Sequence, residues 1–368
     1  MENNPFIKTF KINKIKNKLD RIYTKYGYIN IDLPTFEYYD ILKNTTKDFA
    51  DENIIRFIDR NSGKSMVLRP DFTPQICKNV AHYLPELPLP IKLYYHGNIF
   101  RNVYENKGLK SETSQSGVEI LGIPEFATEL ELLSLINDII NTFHLNDVYI
   151  IFGDLKLLNI ILSLIPSYKD KYMELLKNKD FLSIRSLFND IVIDKKIKNF
   201  LIELPMIIGK PSIIKELIKI ADFNNDIEER LHELFDFFHI LEEKLDPLFN
   251  IIFDASELRG LNYYTGINYD IVIKDRGITL GGGGRYDNLM SIFNHDVKAC
   301  GFALNLDLLS DYYNQKFTKN KIDYLIIGEK NIDQLFRLRK KGCSALLINH
   351  EDEINNLENL YTFSNVIK

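Results

Sequence analysis

The sequence predicts an α+β fold: strands and helices share one body over residues 1–318, a helical insertion interrupts it at about 156–245, and a short α/β segment follows at 319–368. Three observations predict this. Short apolar or alternating runs bounded by Gly and Pro recur on both sides of the insertion, as strands do. The insertion is rich in Ile, Leu, Lys and Glu, with breaks near Pro166, Pro205 and Gly209-Lys210-Pro211, and its charge reads as a solvated face. Finally, four consecutive glycines, Gly281 to Gly284, run into Arg285-Tyr286-Asp287. Four missing side chains let another group approach the backbone, either a bound small molecule or a neighbouring strand. The cation, hydroxyl and carboxylate that follow favour a site.

In chain order, Ile12, Ile15, Leu19, Ile22 and Tyr23 stand at helical spacing among lysines, so residues 10–26 form an amphipathic helix that Gly27 ends. Residues 28–34 alternate and close on Pro34, a strand running to an edge or interface. Residues 57–68 read as a β-hairpin turning at 61–64. It leads into Arg69-Pro70-Asp71-Phe72-Thr73-Pro74-Gln75, where Asp71 or Thr73 caps a helix from about Pro74 to Tyr83. Residues 91–95 are a strand, 96–98 break it, and 99–101 resume it; a polar loop at 102–114 precedes a second strand, 115–122. Gln115, Gly117 and Glu119 share one face of that strand, where buried polar groups without partners are costly, so water or a ligand should meet them. A helix with Leu132, Leu135, Ile136, Ile139, Ile140 and Phe143 as its apolar stripe is core. Strands follow at 148–152, 248–253 and up to Ile273, a helix at about 304–313, and a β-α-β pattern at 322–349.

Composition sets limits. The 45% hydrophobic and 26% charged content of this 368-residue chain is ordinary for a globular protein with a sizeable core. A net charge of -5 offers nucleic acid no bulk attraction, and no nucleic-acid partner is expected. Cys77, Cys300 and Cys343 lie far apart, which argues against a disulfide framework or structural zinc and for a reducing cytosol. Neither a secretory signal nor a membrane-spanning run is evident, so a cytoplasmic protein with no membrane partner is expected.

Taken together, Phe100-Arg101, residues 115–122, Arg259-Gly260-Leu261-Asn262-Tyr263-Tyr264, and Gly281 to Asp287 with Gly301-Phe302-Ala303 resemble the catalytic domain of histidyl-tRNA synthetase, in the same order. The resemblance implies a class II aminoacyl-tRNA synthetase-like antiparallel sheet flanked by helices, with the Pro34 segment as the dimer motif and self-association as a dimer. It also implies a histidine pocket. Asp71, Thr73, Gln115 and Glu119 would hold the α-amino group and imidazole neighbourhood, Arg259 would face the carboxylate, and Tyr263, Tyr264 and Tyr286 would wall the imidazole. Arg101 belongs to the same set, as an anion ligand or as the partner of a carboxylate such as Glu119. Chemically these groups suit histidine, with carboxylates for an ammonium, a guanidinium for a carboxylate, and hydroxyls for a ring that donates and accepts.

The departures point to one branch. Where the synthetases carry a phosphate-holding arginine after Gly301-Phe302-Ala303, this chain has Leu308, and residues 102–114 hold no arginine although the matching synthetase loop is rich in them. Losing a cation that offsets triphosphate charge weakens adenylation. A kept amino-acid pocket, a degraded ATP site, a C-terminal segment shorter than an anticodon-binding domain, and the 69–75 motif resemble the regulatory subunits of ATP phosphoribosyltransferase. That resemblance implies a non-catalytic subunit that pairs with a short catalytic subunit in the first step of histidine biosynthesis, binds histidine as feedback inhibitor, and uses no cofactor or metal. A trimmed histidyl-tRNA synthetase and an amino-acid-activating paralogue are the alternatives.

Overall fold

A computed structural model of the protein describes residues 5–45, 53–102, 111–189, 191, 193–257, 263–313, 319–358 and 360–368. The chain divides into two compact units, Ile12–Tyr312 and Met1–Lys11 with Tyr313–Lys368.

Helix α1 (Pro5–Lys25), which belongs to the larger unit from Ile12 on, buries Ile15, Leu19, Ile22 and Tyr23, the stripe its spacing marks. The strand expected at 28–34 shrinks to β1 (Ile29–Asn30), parallel to a later strand at the edge of the sheet. The reason lies in what takes its carbonyls: the Arg69 guanidinium donates to Leu33 O (2.9 Å) and Pro34 O (3.2 Å), and the Gln75 amide donates to Pro34 O and Phe36 O (both 3.1 Å). The strands β2 (Phe36–Tyr38), β3 (Arg56–Ile58) and β4 (Ser65–Leu68), with α2 (Tyr39–Thr45) between the first two, form a small antiparallel sheet. The expected hairpin is β3–β4, its turn pinned by the Asp59 carboxylate, which accepts from the N–H groups of Asn61 and Ser62.

After α3 (Thr73–Tyr83) come β5 (Ile91–Phe100) and β6 (Glu112–Leu121), paired antiparallel from Ile91↔Leu121 to Phe100↔Glu112. Residues 96–98 do not break β5. A Cβ at Gly97 would come within 2.6 Å of the Arg69 guanidinium and the Phe72 ring, so the glycine clears space for them inside a continuous strand. His96, at the expected break, is thereby within the strand, half-buried, with Nε2 3.0 Å from Asp20 Oδ1. Next are α4 (Ala127–Phe143), β7 (Val148–Asp154) and the insertion helices α5 (Leu155–Ser163), α6 (Lys169–Lys177), α7 (Phe181–Leu187), α8 (Lys195–Glu203), α9 (Ile214–Ile220) and α10 (Asn225–Leu245). The insertion is not wholly helical: β8 (Ile208–Gly209) pairs with β9 (Asn250–Asp254) and extends the main sheet. Then follow β10 (Ile267–Ile273), β11 (Ile278–Arg285), β12 (Ala299–Asn305) and α11 (Leu306–Tyr312).

The main sheet has nine strands in the order β1-β5-β6-β12-β11-β10-β7-β9-β8. From β5 to β7 every neighbour is antiparallel, whereas β1 and β9 join in parallel, so the expected antiparallel sheet is the core of a mixed one. In the smaller unit, β13 (Asn320–Ile327), α12 (Ile332–Lys340) and β14 (Ala345–Ile348) are the expected β-α-β, and α13 (Ile354–Leu357) leads to β15 (Tyr361–Ile367), a third parallel strand. The β15 strand reads poorly in sequence because much of its alternation faces outward.

Among the described residues, no helix is long and apolar enough to cross a membrane.

Candidate functional site

The glycine run lies inside β11, not in a turn, and its residues alternate in role. A Cβ on Gly281 or Gly283 would collide with a backbone carbonyl of β12. Gly282 and Gly284 take the opposite face, in register with Asp270 and Asn268 of β10 and with Ala303 and Gly301 of β12. The neighbouring-strand reading of the run therefore holds for Gly281, Gly283 and Gly284, each crowded by the backbone of β10 or β12.

On that second face opens a cavity of about 550 Å³. Eight of the nine residues singled out in sequence line it: Asp71, Thr73, Arg101, Gln115, Glu119, Tyr263, Tyr264 and Tyr286. The ninth, Arg259, lies outside the described residues. Arg285 and Asp287 do not join the site. Strand alternation turns Arg285 to the other face, where it donates to both oxygens of Glu129 (2.7 and 3.2 Å) and to Asp287 (2.9 Å).

At the centre is Glu119 of β6, 2% exposed. It lies over Gly301, where any Cβ would strike its carboxylate. Thr73 Oγ1 donates to its Oε1 at 2.7 Å, and the Tyr286 hydroxyl donates to its Oε2. Thr73 is thus the first residue of α3 and not its cap; its own N–H donates to Asp71 Oδ1 (3.2 Å), whose Oδ2 accepts from the Tyr263 hydroxyl (2.8 Å). Two carboxylates and three hydroxyl groups form one linked set, joined by rings: Tyr263 packs edge-on to Tyr286 (5.9 Å) and near Tyr264 (5.0 Å). Burial pushes the Glu119 carboxyl up to about 8; the bonds from Tyr286 and Thr73 offset part of this, and the neighbouring charge of Asp71 adds to it. Arg101 does not pair with Glu119; its Nε donates to Pro70 O at 3.1 Å.

The 69–75 motif now divides by function. Arg69 and Gln75 hold the strand-to-proline segment, while Asp71 and Thr73 face the cavity. Phe72 lies between them, stacked on Tyr95 at 4.0 Å with the Arg69 guanidinium 3.8 Å above its other face.

Leu308, in the first turn of α11, lines the far end of the cavity, with Asn305 Oδ1 accepting its N–H at 3.1 Å. Among the described residues of the lining, four carboxylates (Asp71, Glu119, Asp270, Asp307) face one guanidinium, Arg101. Among these described groups acidic side chains predominate, which favours a cationic group. Sequence reasoning missed Tyr95, Asp270, Asn305 and Asp307. The signal for Asp270 was present: Asn268 and Asp270 alternate with apolar residues in β10, as Gln115 and Glu119 do in β6.

A mainly antiparallel sheet with its cavity between helix α3 and a glycine-paved strand pair makes this a class II aminoacyl-tRNA synthetase-like protein. Residues 8–309 match the family model described as histidyl-tRNA synthetase. A solved structure from Bacillus halodurans C, described as an ATP phosphoribosyltransferase regulatory subunit/histidyl-tRNA synthetase, is similar over 98% of this chain and 94% of its own, with TM-score 0.81 and 22% identity. The histidyl-tRNA synthetase of Nostoc sp. PCC 7120 is similar over 95% and 85%, with TM-score 0.73 and 17% identity. In sequence, the chain is 30% identical over 341 residues to the ATP phosphoribosyltransferase regulatory subunit of Alkaliphilus metalliredigens, covering 89% of this chain and 86% of that one. It is 31% identical over 305 residues to that of Clostridium acetobutylicum, covering 81% and 74%. The chain belongs to the ATP phosphoribosyltransferase regulatory subunit family, within the histidyl-tRNA synthetase-like proteins.

Proposed function

We propose that the protein is a non-catalytic, cytoplasmic regulatory subunit that associates with the short catalytic chain of ATP phosphoribosyltransferase and binds histidine as its feedback effector. The observation that carries this reading is the Asp71–Tyr263 and Thr73–Glu119–Tyr286 set in a cavity whose opposite end presents Leu308. Asp71 and Glu119 face the ammonium and the ring, and Arg101 is the described cation available to the carboxylate, a role that the family resemblance gives to Arg259. Histidine stabilises one arrangement of the complex, and the coupling would be about 1–3 kcal/mol if typical. Two assays test it together: calorimetric titration with histidine, and histidine-dependent ATP–pyrophosphate exchange. Binding without exchange, with co-purification of the short catalytic chain, is the expected result; robust exchange overturns it. Arg101 in the lining is the observation that favours the second reading, a trimmed histidyl-tRNA synthetase, and exchange would select that one.

A further inference from the structure

Tyr95 of β5 lines the cavity and is 1% exposed. It stands opposite Gly117 of β6, and it leans across so far that a Cβ on that glycine would strike its hydroxyl. A stack holds the ring in place: Phe72 lies against it at 4.0 Å, and the Arg69 guanidinium is 3.8 Å from the Phe72 ring. The bare backbone at 117 thus leaves one phenol a fixed position over the strand. What that phenol lacks is a partner. Thr73 and Tyr286 give their hydroxyl protons to Glu119, and Tyr263 gives its own to Asp71, whereas the Tyr95 hydroxyl makes no hydrogen bond among the described residues. A buried hydroxyl without a partner is costly, so in a cavity wall it calls for a group that arrives with a ligand.

Its surroundings indicate which group. Burial, and then the charges of Glu119 and Asp71, push its proton loss well up, so it stays a neutral hydroxyl with lone pairs to offer. The same two carboxylates favour a cation beside it. Along β6, Gly117 is two residues from Glu119, a step of about 6.6 Å toward the end of the cavity where Arg101 lies. With an imidazole against Glu119, the α-carbon of the same histidine falls about one such step along the strand. The ammonium there carries three N–H donors. Asp71 can meet part of that demand, but each of its oxygens already accepts one bond, from Thr73 N–H and from the Tyr263 hydroxyl. A further, neutral acceptor completes the set.

We propose that Tyr95 is a specificity-determining residue of the pocket, its hydroxyl accepting a hydrogen bond from the α-ammonium of the ligand. This rests on the histidine-binding reading above. It gives the pocket a means of rejecting imidazole compounds that lack the ammonium, because they leave the buried hydroxyl without a donor.

The test uses the full-length protein and its Tyr95→Phe variant, which keeps the ring and its stack on Phe72 and removes only the oxygen. Both are titrated by calorimetry with histidine and with imidazole propionate, the same molecule without its ammonium, and unliganded stability is read by thermal melting. The variant should melt no lower than the wild type, bind histidine at least about tenfold more weakly, the cost of one lost hydrogen bond to a charged group, and bind imidazole propionate as the wild type does. Unchanged histidine affinity overturns the inference while leaving the histidine reading intact. An equal loss for both ligands assigns the hydroxyl to the shape of the pocket and overturns it too. Should the wild type itself bind no histidine, the histidine reading falls and takes this inference with it.

Discussion

Two sets of buried charge lie on opposite faces of one sheet and are handled in contrasting ways. On the back face, Arg285 meets Glu129 with two hydrogen bonds and Asp287 with a third, while Arg230 of α10 grips both oxygens of Asp154 (3.0 and 2.7 Å) and also reaches Glu125 and Glu233. Burial pushes the Arg230 and Arg285 guanidinium groups down, yet the paired carboxylates more than offset it, so both are held above their ordinary range. On the front face Glu119 is equally buried but is met by hydroxyls, and its carboxyl is held neutral up to about 8. The difference separates a finished structural joint from a carboxyl group that burial holds neutral, and whose charged form a cation would favour.

The comparison breaks most readily at Arg285. Arg285→Met strands the Glu129 carboxylate, and urea unfolding should show a loss of about 3–5 kcal/mol, with histidine affinity of the folded fraction unchanged. A comparable loss from Glu119→Gln would erase the distinction. Glu119→Ala should behave in the opposite sense: histidine affinity falls by about 2–3 kcal/mol, read by calorimetry, and inhibition of the assembled complex by histidine is relieved while assembly persists. Full feedback in that variant would move the effector site elsewhere.

A third measurement is pH dependence. Glu119 loses its proton near 4.5 when unfolded and near 8 when folded, so the folded state holds one proton more between those values. Stability from this group is therefore complete below about 4.5 and is lost as pH rises toward 8. Its slope has a ceiling of about 1.4 kcal/mol per pH unit. Unliganded protein should show this slope in chemical unfolding and Glu119→Gln should lack it; an equal slope in both assigns it to another group. In the same window, histidine binding should release a proton as its cationic group meets the carboxylate, which calorimetry in buffers of different ionisation enthalpy detects. The smallest effect belongs to Tyr263→Phe, which removes one bond to Asp71 and should weaken histidine binding by about 1 kcal/mol with little change in melting.

What sequence reveals here follows from range. Helices α1, α3 and α4 were legible because their apolar stripes and their breaks are local. The Glu119 face of β6 was legible because two polar residues at period two are unusual in an interior strand. The same period in Asn268 and Asp270 was passed over, since β10 follows closely on a more conspicuous Arg-Gly-Leu-Asn-Tyr-Tyr block. Arg285 was misassigned because its partner, Glu129, is 156 residues away on α4. β1 was overextended because Arg69 and Gln75, which take the carbonyls of Leu33 and Pro34 beyond it, come from another stretch of chain. Arg259 lies outside the described residues, so its role stays with the family resemblance.

The alternation of the glycine run bears on how such a pocket changes over generations. Gly281 and Gly283 are fixed from behind by the carbonyls of β12, and the row of Gly284 is crowded by the β10 backbone, where a Cβ would lie 2.8 Å from Asn268 Cα. Descendants of this chain cannot reshape the floor in single steps without disturbing the sheet. Divergence toward another ligand has to proceed through the bordering side chains, as at Leu308, while the paving beneath them stays the same.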